Sequence, residues 1–230
     1  MELITTYIKR FAADLGEDSR LTYWKEQLKN KYGLEVKIGE SVHDAGWILR
    51  EISFILRPIP DELVRACGLD TITLRYLGTN QERYPNHGYF CGKDVTLNSD
   101  IFVNPDQPND FFNENNYFIT RPQQTLIHEI GHALDANFGH ISEQEPWMKL
   151  SGWSKEYKPG FKQLKIKEKG TPEVIGEMYY SPSALFTRAY ASRNSWDDFA
   201  DSFSFFVAGM PDRVPATKRV YLDNLLKKYY

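Results

Sequence analysis

Apolar residues recur at intervals of three and four through the first third of the chain, which predicts helices. One set runs through residues 3–15 and a second through 21–32, where the glycine that follows is placed to end the helix. A third set spans 48–55 and follows a Ser-x-x-Asp sequence at 41–44 that resembles a capping box. We therefore expect residues 1–57 to form a helical layer.

The hydrophobic period changes to two after a short helix predicted over 61–67. Alternating polar and apolar residues predict a strand at 71–76, and a turn near Gly92 joins two more strands within 88–97. The residues 101–103 favour a further strand. This region therefore predicts a small mixed sheet.

A long helix is predicted after the sheet. Thr120 is a suitable N-cap, Pro122 lies in the first turn, and Gly139 supplies the stop. The pattern then weakens, and helical order returns at 195–207 and 217–226. The basic run at 162–169 alternates with other residues and is interpreted as the solvated face of a strand or helix.

These elements predict an α+β fold. The helical layer over 1–57 is followed by a unit over 58–230 that holds the small mixed sheet, the long helix and a helical C-terminal lobe. One compact arrangement of the two parts is the simplest expectation for a chain of 230 residues.

Composition excludes some classes of partner. The net charge of −3 gives no basis for binding nucleic acid or an anionic membrane, and no apolar run approaches the ~20 residues that span a bilayer. The chain does not begin with a signal-peptide pattern, which leaves a cytoplasmic location and export by a leader outside this sequence both open. Cys67 and Cys91 are expected to be buried thiols rather than a disulfide.

The candidate chemistry lies on the long helix. His128 and His132 are four residues apart, so their imidazoles project from one helix face and can share a Zn²⁺ ion. Glu129 can then face a water at the open metal position and act as general base. Gly131 lies where a close-packed neighbour can approach. The sequence therefore predicts one zinc ion with a catalytic water.

A third protein ligand is needed. Phe138 occupies the position, ten residues after His128, where metzincins have a histidine, so metzincin geometry is excluded. Asp197 and Asp201 share one face of the predicted C-terminal helix, so one can bind the metal while the other accepts a hydrogen bond from a ligating histidine. Two further candidates lie in the weakly patterned segment, namely Glu173 and Glu177.

A second motif accompanies the HExxH helix. Tyr190 lies seven residues before Asp197, which opens an acidic-x-Phe-Ala-acidic sequence. The pair of motifs resembles the anthrax lethal factor catalytic-domain family, a gluzincin-type group of zinc metallopeptidases that includes the Pro-Pro endopeptidases. The resemblance covers about residues 58–230 and implies a zincin-like fold. It also implies that zinc is bound by three residues, His128, His132 and Asp197. Glu129 would be the general base, and Tyr190 would donate a hydrogen bond to the oxyanion. Asp201 would accept a hydrogen bond from a ligating histidine.

The sequence departs from this family in two ways. The positions of Asp197 and Asp201 are usually Glu, and one methylene less shortens the reach by roughly 1.5 Å. The helix that carries Asp197 must therefore lie closer to the metal. The interval after His132 is also long, and residues 142–182 are expected to form an extra lobe or lid.

The function predicted is a zinc-dependent endopeptidase that hydrolyses peptide bonds through a metal-activated water. Its protein or peptide substrate would pair with a sheet edge formed by Val95, Thr96, Leu97 and Asn98. Two other functions stay open: a non-catalytic zinc-binding recognition module, and a zinc hydrolase of non-peptide amides. The presence of Glu129 and Tyr190 argues against the recognition module, because a structural zinc site needs neither.

Overall fold

A computed structural model describes residues 16–77, 87–103, 119–167 and 173–230. The helix predicted over 3–15 lies outside the described residues. The chain is an α+β protein, as predicted, and divides into two compact units. The first comprises Met1–Asp61 with Leu69–Leu126, and the second comprises Glu62–Gly68 with Ile127–Tyr230. The N-terminal helices and the first sheet therefore belong to one unit, rather than separating at residue 57.

Two helices open the described part of the first unit. Helix α1, Glu17–Tyr32, ends as predicted at Gly33, which has a φ of 80° and donates its N–H to the Lys29 carbonyl at 2.8 Å. Helix α2, Ala45–Leu56, buries an apolar face that includes Ile48 and Ile52. The predicted capping box is wrong, because α2 begins after Asp44, whose side chain makes no capping hydrogen bond.

The first sheet has the strand order β1-β2-β4-β3. Strands β1, β2 and β4 are parallel, and β3 pairs antiparallel with β4, so the sheet is mixed, as predicted. The four strands are β1 (Glu35–Ile38), β2 (Thr71–Arg75), β3 (Gly88–Cys91) and β4 (Asp94–Asn98). The prediction missed β1. The alternating pattern at 71–76 is typical of a strand with one solvated face, whereas the first four residues of β2 are all buried.

The predicted edge strand is wrong. Val95, Thr96, Leu97 and Asn98 lie in β4, which pairs with β2 on one side and with β3 on the other. Their backbone groups are therefore already used within the sheet and cannot accept a substrate strand. Among the described strands, the edge positions of this sheet belong to β1 and β3.

The residues 101–103, predicted as a strand, form a helical turn instead. This is α4, Asp100–Val103, which follows directly on β4. The Asn98 side chain accepts hydrogen bonds from the backbone N–H groups of Asp100 at 3.2 Å and Leu77 at 3.3 Å, so the chain turns where a strand would have continued.

The second unit is mainly helical. Its two longest helices are those predicted to carry the two histidines and Asp197. Among the described residues, five α-helices lie wholly or mostly in this unit: α3 (Asp61–Ala66), α5 (Arg121–Asn137), α6 (Glu145–Ser151), α7 (Ser195–Val207) and α8 (Ala216–Leu226). In the part of the chain that the structure describes, no helix is both long and apolar enough to cross a membrane.

A second, three-stranded sheet occupies the region expected to form an extra lobe. Its strands are β5 (Trp153–Ser154), β6 (Lys162–Lys167) and β7 (Val174–Tyr180), in the antiparallel order β5-β7-β6. Residues 162–167 of the basic run therefore form a strand, which is one of the two predicted interpretations. Met148, Trp153 and Met178 form the core beneath this sheet.

Both cysteines are free thiols. Cys67 is buried, as expected, whereas Cys91 is exposed. Burial raises the pKa of the Cys67 thiol well above its usual range, so this group stays protonated and behaves as a small apolar side chain.

Candidate metal centre

Helix α5 places the two histidines of the candidate site on one face. The Thr120 hydroxyl accepts the Gln123 backbone N–H at 3.4 Å, which gives the predicted N-cap. The helix ends at Asn137, and Gly139 follows with a φ of 78°, as its predicted role requires. His128 and His132 therefore lie well inside the helix, one turn apart.

Three ligand atoms converge at this point. The two Nε2 atoms of His128 and His132 lie 3.0 Å apart, and the Oδ1 atom of Asp197 lies 3.5 Å and 3.4 Å from them respectively. Tetrahedral zinc with bonds of 2.0–2.1 Å separates its ligand atoms by about 3.3 Å. These three residues could therefore hold a metal ion.

The other candidate ligands lie elsewhere. In the described residues, the group that could hold a metal includes neither Glu173 nor Glu177. Glu177 accepts a hydrogen bond from the Tyr179 hydroxyl at 2.9 Å, on an exposed part of β7. Asp201 is directed at the opposite side of the His128 ring from the three-atom centre.

Asp201 and Arg188 fix the orientation of His128. The Nδ1 atom of His128 lies 2.8 Å from Asp201 Oδ1, and an N–H donated there leaves the Nε2 lone pair free for a metal. Arg188 donates to the same carboxylate through Nε at 2.7 Å and Nη2 at 2.6 Å. The fork geometry holds the Asp201 carboxylate, and through it the imidazole, in one position.

Asn194 fixes the orientation of Asp197 in a similar way. Its Oδ1 atom accepts the backbone N–H of Asp197 at 2.6 Å, which caps helix α7. Its Nδ2 atom donates to Asp197 Oδ2 at 2.8 Å. Asn194 therefore binds the Oδ2 atom of Asp197, while the Oδ1 atom points at the two histidines.

The electrostatics of this centre favour a cation. Burial alone would raise the pKa of Asp197, but hydrogen bonds to His128 and His132 hold it well below its usual range. Burial alone would lower the pKa of His128, but the charge of Asp201, with Asp197, raises it to about 10. The His128 ring therefore carries a proton on Nε2 at neutral pH when no metal is bound, and a divalent cation would take the place of this proton beside the ionised carboxylates of Asp197 and Asp201.

Helices α5 and α7 cross at very short range, which lets the short Asp197 side chain reach the histidines. A Cβ atom placed on Gly131 would lie 2.9 Å from the Ala200 Cα atom and 3.2 Å from the Ala200 carbonyl oxygen. The predicted close neighbour of Gly131 is therefore confirmed as the backbone of α7. This close crossing provides the approach that an aspartate needs in place of a glutamate.

We expect Gly131→Ala to weaken metal binding even though alanine favours helices. Its methyl group would meet α7 backbone, which cannot move aside like a flexible side chain, and overpacking costs about 1–3 kcal/mol. The gain in helix propensity, about 1 kcal/mol, offsets only part of this. Zinc affinity should fall, and the free energy of unfolding should fall with it, as measured by metal titration and urea denaturation.

Gly176→Ala provides the matched control, because a Cβ atom there would meet open space. If Gly131→Ala bound zinc as tightly as the unmodified protein, the close crossing would not be what brings Asp197 within reach.

Glu129 and Tyr190 both lie near His128. Glu129 is buried and its negative charge acts on His128. The Tyr190 ring stands edge-on to the His128 ring, with 5.8 Å between centroids. Burial, with the charge of Asp197 next, raises the pKa of Tyr190 to about 12, so its hydroxyl stays protonated and can donate a hydrogen bond.

Asp198, next to the metal-capable aspartate, contacts side chains away from the three-atom centre. It accepts hydrogen bonds from Trp153 Nε1 at 3.0 Å and from the buried Lys218 ammonium. Burial raises the pKa of Asp198 to about 6, which the Lys218 charge limits. The interactions attach the second sheet and helix α8 to helix α7.

Sequence reasoning missed two other residues of the site. Arg188 carries no motif, and only its position shortly before the Asp197–Asp201 sequence sets it apart. The residue type of Asn194 suits a helix cap, but nothing in the sequence indicates its second contact, with the Asp197 carboxylate.

Comparison with known proteins gives a distant structural likeness. No protein-family model matches the sequence, and no curated protein matches it either. One solved structure that it resembles is that of a "putative zinc-binding metallo-peptidase" from Bacteroides caccae ATCC 43185. The two share 15% sequence identity with a TM-score of 0.43, over 94% of this chain and 81% of the other.

Proposed function

We propose that this protein is a zinc-dependent endopeptidase. The observation that carries the proposal is the convergence of His128 Nε2, His132 Nε2 and Asp197 Oδ1 at separations of 3.0, 3.4 and 3.5 Å. Two imidazoles and one carboxylate form a donor set typical of catalytic zinc sites, which keep a fourth position for water or substrate.

The residues present fit zinc. Both donor types suit the ion, the oriented His128 ring offers its Nε2 lone pair, and the carboxylate charge offsets the charge of the ion. When bound, zinc would act as a Lewis acid and lower the pKa of a coordinated water toward neutrality.

Glu129 and Tyr190 would supply the remaining chemistry. We assign Glu129 as the base that takes the proton from the attacking water and later delivers a proton to the leaving amine. Tyr190, protonated at neutral pH, would donate a hydrogen bond to the oxyanion that develops on the peptide carbonyl. Glu129 would thus carry the proton from the attacking water to the leaving amine.

We also propose that the chain is a distant member of the lethal factor-like group. The support is the pattern of motifs, since Tyr190, Asp197 and Asp201 stand at the intervals of that group and all contact or adjoin the same histidine. A Pro-Pro preference does not follow from any of these residues.

The proposed function is tested by incubating the full chain with a mixed peptide library and, separately, with a panel of non-peptide amides, each with zinc and with a chelator. Cleavage at internal bonds that the chelator abolishes and added zinc restores is the expected result. Cleavage of non-peptide amides alone would instead indicate the hydrolase alternative. Stoichiometric zinc binding without any cleavage would indicate the recognition module.

Tyr190→Phe should lower kcat without changing zinc content. The substitution removes only the hydroxyl, and losing one oxyanion donor costs about 10²–10³ in kcat. The control is Tyr157→Phe, since Tyr157 is 68% exposed and its ring packs against Tyr179 of strand β7. An unchanged kcat would remove Tyr190 from the proposed mechanism, and reduced zinc content would point to a structural role instead.

A further inference from the structure

Two guanidinium groups lie against the ring of Tyr190. Arg188 stands 4.8 Å from the ring centroid and Arg193 stands 4.7 Å from it. Their situations differ. Arg188 is largely buried and committed to Asp201 through two hydrogen bonds, whereas Arg193 is exposed.

The positive charge of Arg193 is not neutralised by a carboxylate among the described residues. Within residues 16–77, 87–103, 119–167 and 173–230, it contacts the Tyr190 ring but forms no ion pair with a carboxylate. Its charge acts on the Tyr190 hydroxyl, opposing the effect of Asp197 on that group. The guanidinium is therefore both accessible from solvent and close to the hydroxyl assigned to the oxyanion.

Arg193 is held at a useful position by its neighbours in the chain. It ends the 3₁₀ turn Ala189–Arg193, which also carries Tyr190, and Asn194 begins the cap of α7 immediately after it. A peptide bound with its carbonyl at Tyr190 advances about 3.3 Å per residue in extended form. A side chain one or two residues from the scissile bond would then lie within reach of this guanidinium.

We propose that Arg193 binds a carboxylate of the substrate and makes the enzyme selective for acidic peptides. The carboxylate would belong to an Asp or Glu side chain within about two residues of the scissile bond, or to the C-terminus of a short peptide. This inference rests on the proposed peptidase function. The planar guanidinium suits the group, because it can meet both oxygens of a carboxylate with parallel hydrogen bonds.

A neutral substrate would leave this cation without a partner, while a basic one would be repelled by it. The neighbouring Arg188 cannot take over the role, because Asp201 occupies its guanidinium. Since Arg193 is exposed, its attraction for a carboxylate should weaken as salt is added.

The experiment measures peptide binding separately from cleavage. Full-length Glu129→Gln protein loaded with zinc is titrated with matched peptides, in which one residue near the scissile bond is Asp or Asn and the C-terminus is free or amidated. The expected result is about fivefold tighter binding of the Asp peptide or of the free acid, which is the upper end for a solvent-exposed ion pair. The two pairs of peptides show which carboxylate is bound.

The variants at position 193 decide the assignment. Adding Arg193→Gln should abolish the preference, Arg193→Lys should keep part of it, and Arg193→Glu should reverse it toward a Lys peptide. Lys149→Gln is the matched control, because it removes one exposed positive charge from the same unit and should leave the preference unchanged.

The two proposals fail in different ways. Absence of chelator-sensitive cleavage in the unmodified protein would overturn the peptidase function. Equal binding of the Asp and Asn peptides and of the acid and amide forms, or a preference that survives Arg193→Gln, would overturn the role of Arg193 whatever the cleavage assay shows.

Discussion

Glu129→Gln should lower kcat by about three orders of magnitude while zinc content stays at one ion per chain. The amide keeps the size of the side chain and fills the same buried position, but it cannot accept the proton of the attacking water. General base catalysis contributes about 10²–10⁴ in rate, so the loss should lie within that range. Glu129 is absent from the three-atom centre, which is why metal binding should be unaffected.

The measurement is a steady-state cleavage assay together with metal analysis of the purified protein. Glu156→Gln is the control, since Glu156 is exposed and uses only backbone atoms in its contacts. Turnover at a tenth of the normal rate or more in Glu129→Gln would mean that another group accepts the proton.

Asp197→Ala should have the second largest effect, a loss of zinc and of activity together. The substitution removes the carboxylate oxygen that lies 3.4–3.5 Å from the Nε2 atoms of His128 and His132. Zinc affinity should fall by more than the roughly 10–100-fold that is typical of residues which only support a ligand. The measurement is competition with a chromogenic zinc chelator, in parallel with peptide cleavage.

Asp201→Asn is the comparison that makes this test specific. Its carboxylate supports His128 from the far side, so zinc affinity should fall within the 10–100-fold range instead. Protein stability should also fall, because Arg188 would keep its burial but lose the charge of its partner. If Asp201→Asn lost more zinc affinity than Asp197→Ala, the two roles assigned here would be interchanged.

Much of the helical structure could be predicted from the sequence because its signals are local. Helix α5 is specified by the cap at Thr120, the proline in its first turn and the glycine stop beyond Asn137, all within the segment itself. Helix α7 is similarly specified by Asn194. Such caps and stops act over a few residues, so they can be recognised without knowing the fold.

The sheets were harder because their arrangement depends on distant partners. Strand β1 has only four residues and pairs with β2, which lies more than thirty residues later. Whether β4 is an edge depends on where β2 and β3 lie, which no local pattern records. Residues 101–103 have a high β-propensity, but they form a helical turn because the Asn98 side chain stabilises the turn that precedes them.

The candidate site shows the same division. The four-residue spacing of His128 and His132 is local and could be read directly. The partnership of His128 with Asp201, and of Asp201 with Arg188, joins side chains from different segments. Among the four candidate third ligands, only the folded chain distinguishes Asp197, because each has the same chemistry.

The short crossing of α5 and α7 has an evolutionary consequence. The distance between α5 and α7 depends on the size of the residues at the crossing, and it determines how long the acidic side chain at position 197 must be. The two features should therefore vary together among homologues. We expect larger side chains at positions 131 and 200 in chains with a glutamate at position 197, and small ones at both positions in chains with an aspartate there. An aligned set of sequences would reveal this as correlated substitution at three positions that lie on two different helices.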